Sequence, residues 1–526
     1  MDAPLADLLR VDLLRADLTA ARFTVDALGA LWGSEADAAI ERGNRIPALR
    51  ALAGDHGILA TLARLFVLGM RAPRGPAERA LANTTLSGAV ALGLCEVRGD
   101  EVIPLVNLRP YDFLDEQGAG SWWIASDLGE LATGRALRTD HVLGIGGASL
   151  TLSGLLIPDP VESVLDLGTG CGIQALRASR WAARVVATDI SERAIEFARL
   201  NAALNGIVNI EFRLGNLFEP VAGERFDRIV SNPPFVITPR TSGVPEYEYR
   251  DGGMVGDALV EAVITGAREH LAPGGIAQLL GNWEYLAEPA GQGTDGMQRA
   301  LGWADDAGLD AWIIERDRQD PAQYAETWIR DGGTRAGSEE FERLCGAWLD
   351  DFEERGVTGV GFGYVLLRHP SSAGQTREHA SRLRRVERLD TPLGRGAAGL
   401  GSHLATALAA FDWQASRTDA EVLAARLRVA GDVTEERSHW PGEADPSVLV
   451  LRQGGGFRRE FRVGTALAAI VGTSDGELSL GAIVTAVAHL LELDAAELGH
   501  DTVAEVRELL VDGFLHIETE ASAAEG

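Results

Sequence analysis

The sequence contains no lysine: arginine supplies all 48 of its cationic side chains. A lysine Schiff base and a lysine phosphate anchor are therefore excluded from its chemistry. Cysteine is scarce, and Cys95, Cys171 and Cys345 stand far apart without a CxxC pair. This pattern fits a reducing compartment and argues against a zinc site, so we expect no metal.

Long apolar runs are also missing. No stretch approaches the roughly 20 residues that are needed to span a bilayer. The first residues, MDAPLADLLRVD, carry acidic groups where a secretion signal needs positive charge. We therefore expect a cytoplasmic protein that does not bind membranes.

Positive charge is in deficit, with 77 acidic against 48 basic side chains and a net charge of −29. A surface of this charge repels phosphate backbones, which disfavours broad electrostatic binding of nucleic acid. The chain has 526 residues, of which 46% are hydrophobic and 24% charged. That is a globular composition in a chain too long for one core, and it predicts two to four domains.

The flanking segments both have the pattern of a winged helix. In residues 1–140, helical periodicity leads into LSGAVALGLCEV, the turn RGDE and VIPLVNL, which predict a helix and a β-hairpin; we expect a substrate-recognition domain. Residues 385–518 contain a hairpin, at DPSVLVLRQGGGFRREFRVG, and helices leading to a short strand. The tail 519–526 is expected to be disordered.

Two stretches are interpreted as connections between domains. One runs from Trp122 to Leu156 and contains HVLGIGGASLTL, and the other begins at His369 and contains RLRRVER. A basic run of that kind is typical of a solvated helix face. The aromatic residues near the first connection are expected to pack in a core rather than to form a stacking platform; they are Tyr111, Phe113, Trp122 and Trp123.

Residues 141–370 alternate between short apolar strands and helical segments. VLDL, RVVATD, IEFRLG, FDRIVSN and IAQLLGNW are predicted strands, and SERAIEFARLNAALNG and Leu259–Leu271 are predicted helices. Alternating β and α units predict a parallel sheet covered by helices on both faces. The fold class is therefore α/β, between a helical, winged-helix-like N-terminal domain and a winged-helix-like α+β C-terminal domain.

A glycine-rich loop follows the first predicted strand, at Asp166-Leu-Gly168-Thr-Gly170-Cys-Gly172. Glycines let the backbone approach a ligand closely at a helix N-terminus. Asp189 ends the next strand, 23 residues after Asp166, close to the roughly 20-residue offset of an acid that hydrogen-bonds ribose hydroxyls. Together they indicate a nucleoside site; a tight turn with a helix-capping Asp is the alternative.

The third and fourth predicted strands end in asparagines. Asn216, in GNLF, is placed to contact a purine edge if its strand is in register with the others; a plain turn is the alternative. Asn232 begins NPPF at the end of the fourth strand. Because carboxyl ends of parallel strands share one edge of a sheet, both asparagines are expected to face the same cleft as Asp189.

The two prolines of SNPPF (Ser231–Phe235) have no N–H to give a sheet ladder, so they stop the strand and hold Asn232 extended. The Asn232 oxygen and the Pro233 carbonyl can then accept both hydrogens of one NH₂ group, which leaves a nitrogen lone pair aimed at an electrophile. Phe235 offers a flat face on which a base or amide can stack. A strand end followed by a loop is the simpler interpretation.

These motifs resemble class I S-adenosylmethionine-dependent methyltransferases of the small-methyltransferase-domain type, with an NPP[FY] motif. The sequence is most similar to release-factor glutamine N5-methyltransferases, where VLDLGTGCG, VVATDIS, GNLFEPV, FDRIVSNPPF and RDGGMVGDAL have counterparts in the same order. The resemblance covers roughly residues 145–285. It implies a Rossmann-like class I methyltransferase core in residues 141–370 and S-adenosyl-L-methionine as cofactor.

The resemblance also assigns site residues. The implied cofactor-binding residues are Asp166, Gly168, Thr169, Gly170, Gly172, Asp189, Ile190, Asn216 and Leu217. The implied catalytic residues are Asn232, Pro233, Pro234 and Phe235, of which Asn232 and Pro233 bind the target nitrogen. Asn216 stands where the family usually has Asp, and Phe235 where it more often has Tyr. The flanking domains do not match the family's recognition domain, which leaves the substrate open.

The expected activity is transfer of methyl to a planar amide or amine nitrogen of a macromolecule, with a protein glutamine side chain preferred. Methylation of an exocyclic base amine in RNA or DNA is the first alternative, since winged helices often read grooves. A non-catalytic protein that binds S-adenosylmethionine and a dinucleotide oxidoreductase are more distant alternatives; the second gives NPPF no role. His141 is expected to be structural, and Asp251, Gly252 and Gly253 to form either a lid or an ordinary loop.

Overall fold

In the computed structural model, the described residues are 7–133, 138–245, 247–287, 295–370, 382–394 and 399–518. The predicted tail at 519–526 lies outside them. The chain divides into two compact units, the first made of residues 1–153, 159–371 and 384–388 and the second of residues 154–158, 372–383 and 389–526.

The N-terminal part of the first unit is helical and then β. Its helices are α1 (Leu8–Ala20), α2 (Val25–Trp32), α3 (Ser34–Glu41), α4 (Ile46–Ala51), α5 (Ile58–Leu62), a π-helical turn (Ala63–Val67), α6 (Arg74–Ala80), α7 (Thr85–Ala91) and α8 (Glu130–Thr133). Its strands are β1 (Ala72–Pro73), β2 (Cys95–Arg98), β3 (Glu101–Pro104), β4 (Val106–Asp115) and β5 (Gly118–Asp127).

The predicted helix and hairpin are confirmed as α7, β2 and β3, in a small sheet of order β1-β3-β2. The interpretation of Trp122 onwards as a connector is wrong. Trp122 lies in β5, which pairs antiparallel with β4 over ten residues from each strand. Trp122 is 7% exposed and packs at 4.2 Å from the ring of Phe113, which confirms a core role for these aromatics.

The hairpin is joined to the α/β core through helix α11 (Glu192–Leu204). Asn201 bonds both backbone groups of Ala125, at 2.7 and 2.9 Å, and Asn205 does the same for Trp123, at 2.9 and 2.8 Å. Side-chain amides four residues apart on one helix face thus replace a neighbouring strand along the edge of β5.

The rest of the first unit is an α/β sheet. Its further helices are α9 (Gly147–Leu155), α10 (Ile173–Ala178), α12 (Ala258–His270), α13 (Gly296–Asp306), α14 (Pro321–Asp331) and α15 (Glu339–Glu354), with a 3₁₀ turn at Glu219–Val221. Its strands are β6 (Val161–Leu167), β7 (Ala182–Asp189), β8 (Ile210–Leu214), β9 (Phe226–Ser231), β10 (Leu271–Leu286), β11 (Asp310–Gln319), β12 (Val357–Arg368) and β13 (Arg384–Arg388).

The eight strands form one sheet of order β13-β11-β12-β10-β9-β6-β7-β8. The five strands from β10 to β8 run parallel to one another, as predicted, whereas β12 is antiparallel to both of its neighbours. The chain leaves β6 toward β7 on one side and returns to β9 on the other. This Rossmann-like arrangement confirms the predicted fold class and creates a switch point between the carboxyl ends of β6 and β9, where such sheets bind ligands.

The interpretation of RLRRVER as a solvated helix face is wrong. Residues Arg384–Arg388 form β13, parallel to the edge strand β11. Within it, Arg388 Nε donates at 2.6 Å to Glu315, a fully buried carboxylate that also accepts from the Trp283 indole at 2.7 Å. A buried carboxylate needs such donors, so this contact fixes the added strand.

The second unit is α+β. Its helices are α16 (Gly399–Ala415), α17 (Asp419–Ala424), α18 (Thr465–Gly472), α19 (Leu480–Leu491) and α20 (Ala495–Val511). Its strands are β14 (Arg426–Val429), β15 (Val433–Ser438), β16 (Val448–Gln453), β17 (Glu460–Val463), β18 (Asp475–Ser479) and β19 (Leu515–Ile517). The predicted hairpin, β16 with β17, and the predicted helices leading to the short strand β19 are confirmed.

Among the described helices of both units, none combines the length and the apolar character that crossing a bilayer requires.

The buried carboxylate of Asp17 offers a test of how the N-terminal helices are held. It is 4% exposed and accepts four hydrogen bonds of 2.7–2.9 Å from Asn83 and Thr84. Asp17→Ala leaves these donors unpaired and should lower the free energy of unfolding by about 3 kcal/mol. Asp12→Ala, on an exposed face of the same helix, should change it by less than about 0.5 kcal/mol. Equal losses in urea-induced unfolding would refute this account.

Candidate functional site

A cavity of about 430 Å³ lies at the carboxyl ends of β6, β7, β8 and β9. Ten of the thirteen predicted site residues line it: Gly168, Thr169, Gly170, Asp189, Ile190, Asn216, Leu217, Asn232, Pro233 and Pro234. Leu167 and Ser231, which pair across β6 and β9, also line it and mark the switch point.

The glycine-rich loop presents bare backbone to this cavity. Gly168 and Gly170 have φ of 76° and 55°, and a Cβ built on either would meet nothing within 4 Å. Gly172 does not line the cavity: it has φ of 90°, and its Cβ would lie 3.0 Å from the Cβ of Ala198 in α11. The first two glycines therefore leave room for a ligand, and the third lets α10 begin close to α11.

The Asp166 side chain holds the glycine-rich loop through hydrogen bonds. Its carboxylate is 1% exposed and accepts from the Thr169 hydroxyl at 2.6 Å and the Ala175 amide at 2.9 Å. Burial raises its pKa to about 7, and the nearby Asp189 carboxylate adds to the rise. Asp166 thus holds the loop against α10 without lining the cavity.

Asp189 stands at the end of β7, where it lines the cavity. One carboxylate oxygen accepts from the Gly170 amide and the other from the Ser191 amide, both at 2.9 Å. Burial raises the pKa of this carboxyl, while these bonds oppose the rise. Ser191 occupies the predicted N-cap of α11, yet its side chain makes no capping hydrogen bond. The two amide donors fix the Asp189 side chain in place.

The third strand ends in a tight turn at the cavity. Gly215 has φ of 156°, and a Cβ there would lie 2.5 Å from Pro220, so the backbone needs glycine. Asn216 and Leu217 follow and line the cavity; the Asn216 carbonyl accepts from the Glu219 amide at 3.0 Å. The register of β7 with β8 thus brings Asn216 beside Asp189, as the sequence predicts.

Asn232 lies at the end of β9 and lines the cavity with the two prolines. The preceding Ser231 is fully buried and donates to the Leu167 carbonyl at 2.8 Å, which fixes this strand end to β6. The side-chain oxygen Oδ1 of Asn232 is buried and has no hydrogen-bond partner in the part of the chain that the structure describes. Such an atom costs free energy unless a ligand donates to it.

Phe235 does not line the cavity, so the structure does not place its ring where a substrate could stack. The ring packs edge-on against Phe362, with centroids 6.4 Å apart. The Phe235 backbone forms an isolated antiparallel bridge with Asp251. The end of the NPPF motif is therefore tied to the loop that follows it.

The segment Asp251 to Gly253, which was expected to form either a lid or an ordinary loop, lines the cavity and is held in place by an ion pair. The Asp251 carboxylate is 7% exposed and pairs with the Arg240 guanidinium through both of its oxygens. It also accepts from the Gly253 amide at 2.9 Å. These contacts fix the conformation of the loop at the border of the cavity.

Sequence reasoning missed Glu248 and Tyr249, which also line the cavity. Burial raises the pKa of Tyr249 to about 12, and burial raises that of Glu248 with help from Asp140 and Asp189. No motif marks these residues, because only the folding of the loop brings them over the strand ends. The spacing EYEYRD is the one signal that polar and aromatic groups alternate there.

His141 lines the cavity and is 6% exposed. Burial lowers its pKa, partly offset by Asp127, whose carboxylate lies 3.9 Å from Nδ1. Its ring packs edge-on against Tyr249, with centroids 5.8 Å apart. A neutral, packed imidazole agrees with the structural role expected for it.

The described residues around the cavity include three carboxylates, on Asp189, Glu248 and Asp251, and no arginine. Because Arg240 pairs with Asp251, the negative charge of the lining comes mainly from Asp189 and Glu248, and it favours a ligand with positive charge. Within the described ranges, no group of three or more His, Cys, Asp or Glu side chains is placed to hold a metal ion.

Two family models match the chain. Residues 146–302 match the methyltransferase small domain, and residues 20–105 match a domain of unknown function, DUF7059. The first match confirms the resemblance to class I S-adenosylmethionine-dependent methyltransferases, and it includes every predicted site residue.

The curated relatives include glutamine methyltransferases. A release factor glutamine methyltransferase of Xylella fastidiosa is 42% identical over 133 residues, covering 24% of this chain and 48% of the relative. A ribosomal protein uL3 glutamine methyltransferase of Bradyrhizobium diazoefficiens is 36% identical, covering 25% and 45%. A putative protein N5-glutamine methyltransferase of Methanocaldococcus jannaschii is 35% identical, covering 23% and 61%. The chain spans about half the length of the first two relatives.

Solved structures give a looser likeness. A methyltransferase from Thiobacillus denitrificans in complex with S-adenosyl-L-homocysteine is 18% identical, with a TM-score of 0.25, covering 42% of this chain and 91% of that one. A putative methyltransferase from Bacillus halodurans is 17% identical, with a TM-score of 0.28, covering 43% and 100%.

The raised pKa of Asp166 predicts how stability depends on pH. In the unfolded chain the carboxyl titrates near its usual value of about 4, whereas in the folded protein it titrates at about 7. Between these values the folded state holds a proton that the unfolded state has lost. Stability should therefore fall as pH rises through this window, by at most about 1.4 kcal/mol per unit, and level off above it.

Asp166→Asn removes this titration while its amide oxygen can still accept from Thr169 and Ala175. Urea-induced unfolding from about pH 4.5 to 7.5 should show a shallower decline in the variant than in the wild type. Parallel declines in the two proteins would show that Asp166 is not the group responsible.

Proposed function

We propose that this protein is an S-adenosylmethionine-dependent N-methyltransferase that acts on a planar amide nitrogen of a macromolecule. The observation that carries the proposal is the Asn232 side chain. Its Oδ1 is buried without a partner among the described residues, and Asn232 lines the same cavity as Asp189 and the glycine loop. An acceptor so placed lacks only a donor from the substrate.

The cofactor side of the proposal rests on Asp189 and the loop. Asp189 is fixed by two amides and is assigned to the ribose hydroxyls, and Gly168 and Gly170 leave open space for the methionine portion. Asn216 is assigned to the adenine, and Ile190, an apolar side chain 66% exposed beside the cavity, to a ring face. The carboxylate-rich lining suits a ligand that carries sulfonium and ammonium charges.

Asn232 and Pro233 are proposed to orient the target nitrogen and not to remove a proton from it. S-adenosylmethionine would supply an electrophilic methyl group: its carbon–sulfur bond breaks as the carbon–nitrogen bond forms, the sulfur leaves as a neutral thioether, and the methylated nitrogen releases one proton to water. Asn232 Oδ1 and the Pro233 carbonyl are assigned to the two hydrogens of the target NH₂, so that the lone pair points at the methyl carbon. The rigid prolines keep both acceptors in place and reduce the ordering cost.

A protein glutamine side chain is the proposed acceptor, in the cytoplasm. The curated relatives are named for glutamine methylation of release factors and a ribosomal protein. The net charge of −29 also disfavours phosphate backbones. The winged-helix order of α7, β2 and β3 keeps a nucleobase amine as an alternative, to be separated by experiment.

Two single variants should separate the methyl-transfer step from cofactor binding. Asn232→Ala should lower kcat by about 10²-fold or more, because alignment of the nitrogen is lost, and should keep cofactor affinity within a few fold. Asp189→Ala should weaken cofactor binding by at least about tenfold. Calorimetry with S-adenosylhomocysteine and methyl-transfer rates separate the two effects.

Asn209→Ala is the matched control, since the Asn209 side-chain amide donates to the carbonyls of Ser179 and Ala182, at 3.0 Å each, and Asn209 is not among the residues that line the cavity. Full transfer by Asn232→Ala with normal cofactor binding would remove Asn232 from the reaction.

The acceptor class can be read from labelled methyl transfer. The protein is incubated with radiolabelled S-adenosylmethionine and cell lysate, and the product is treated with protease or with nuclease. We expect protease to release the label and mass spectrometry to find a methylated glutamine. Release by nuclease, with binding that weakens steeply as salt rises, would support a nucleobase amine instead.

A further inference from the structure

Helices α14 and α15 form an insertion between the antiparallel strands β11 and β12, beyond the segment that matches the methyltransferase small domain. The insertion has its own apolar core, which includes Tyr324, Trp348 and Phe352. Val236 and Ile237, directly after NPPF, are buried in the same core. The insertion therefore packs on the segment that carries the proposed amide acceptor.

One polar contact joins the insertion to that segment directly. The Tyr324 hydroxyl accepts from the Ile237 amide at 2.9 Å, and Tyr324 is fully buried. The same hydroxyl accepts from Nδ2 of Asn282, a fully buried residue of β10, at 3.2 Å. Asn282 Nδ2 also donates to the Phe235 carbonyl at 2.5 Å. Tyr324 and Asn282 thus hold the backbone on both sides of Val236.

A second contact joins the insertion to the far side of the loop. Arg250 is 7% exposed and donates to the Trp328 carbonyl and the Asp331 carboxylate, both at 2.8 Å. The Arg250 carbonyl in turn accepts from the Val236 amide at 2.7 Å. The loop that begins at NPPF and returns at Arg250 is therefore held against α14 at both ends.

We infer that Tyr324 is a positioning residue: the insertion, through the Tyr324 hydroxyl, sets the backbone after NPPF and so the direction of the Asn232 amide. The inference rests on the proposed function for its catalytic consequence. The backbone clamp itself depends only on the contacts of the described residues. Pro233 and Pro234 have fixed φ angles and also restrict the residue before each of them. Hydrogen bonds that fix the backbone at Phe235 and Ile237 therefore also restrict the orientation of Asn232.

The hydroxyl can be removed without losing the packing. The Tyr324 ring stacks on Phe362, with centroids 5.5 Å apart and planes 23° apart, and these contacts remain in Tyr324→Phe. Tyr285→Phe is the matched control: Tyr285 lies in β10, is 5% exposed and donates its hydroxyl to Glu315 at 2.7 Å. Within the described part of the chain, the Tyr285 hydroxyl bonds Glu315 and Arg388 and makes no hydrogen bond to residues 232–237.

Two measurements on the full chain test the inference. Hydrogen exchange should show the Ile237 amide exchanging about tenfold faster in Tyr324→Phe than in the wild type or Tyr285→Phe, because its acceptor is gone. Transfer of labelled methyl to the lysate protein fraction should fall about tenfold in kcat, with affinity for S-adenosylhomocysteine unchanged within about twofold. Thermal unfolding of both variants checks that their stabilities are matched.

The outcomes separate the two claims. Unchanged exchange at Ile237, or loss of cofactor affinity in parallel with activity, would overturn the positioning role. Equal activity of Tyr324→Phe and Tyr285→Phe would also overturn it. If the wild type transfers no methyl to any fraction, the proposed function fails, and the exchange measurement still decides whether Tyr324 holds the segment.

Discussion

The organisation of the site depends on one amide oxygen that is buried and finds no hydrogen-bond partner in the described part of the chain. Oδ1 of Asn232 meets no donor among the described residues, although Asn232 lines the same cavity as the glycine loop and Asp189. Leaving such an acceptor unpaired costs about 1–3 kcal/mol. That cost is offset elsewhere in the fold, and a donor from a substrate would recover it. An amide NH₂ group, with two hydrogens to give, is a substrate of the required chemistry.

The fold holds this oxygen from three directions. The switch point between β6 and β9 brings Asn232 next to the glycine loop and Asp189, so the proposed amide acceptor and the proposed cofactor-binding residues share one cavity. The prolines stiffen the strand end. The backbone beyond them is bonded by Asn282 from the sheet and by Tyr324 from the inserted helices. In the proposed function, backbone geometry aligns the target nitrogen, and no acidic or basic side chain has to remove its proton.

Much of this could be predicted from sequence because it is local. Strand ends, positive-φ glycines and proline turns are determined by residues that are adjacent in the sequence. Ten of the thirteen predicted site residues accordingly line the cavity. The features that could not be predicted depend on contacts between residues that are far apart in the sequence. Strand β13 was interpreted as a basic helix face, because its position in the sheet depends on the contact between Arg388 and Glu315, which is 73 residues away. The Tyr324 clamp is likewise invisible in sequence, because its partner Ile237 is 87 residues distant. The edge-on contact between Phe235 and Phe362 could not be predicted either, because the two residues lie far apart in the chain.

The most direct test of the central claim is a crystal structure with S-adenosylhomocysteine and a capped glutamine amide. We expect Asn232 Oδ1 to lie about 2.7–3.2 Å from the glutamine nitrogen, with that nitrogen facing the sulfur of the cofactor product. A structure in which the Asn232 amide is turned away and bonded within the protein, while the glutamine nitrogen binds elsewhere or not at all, would contradict it.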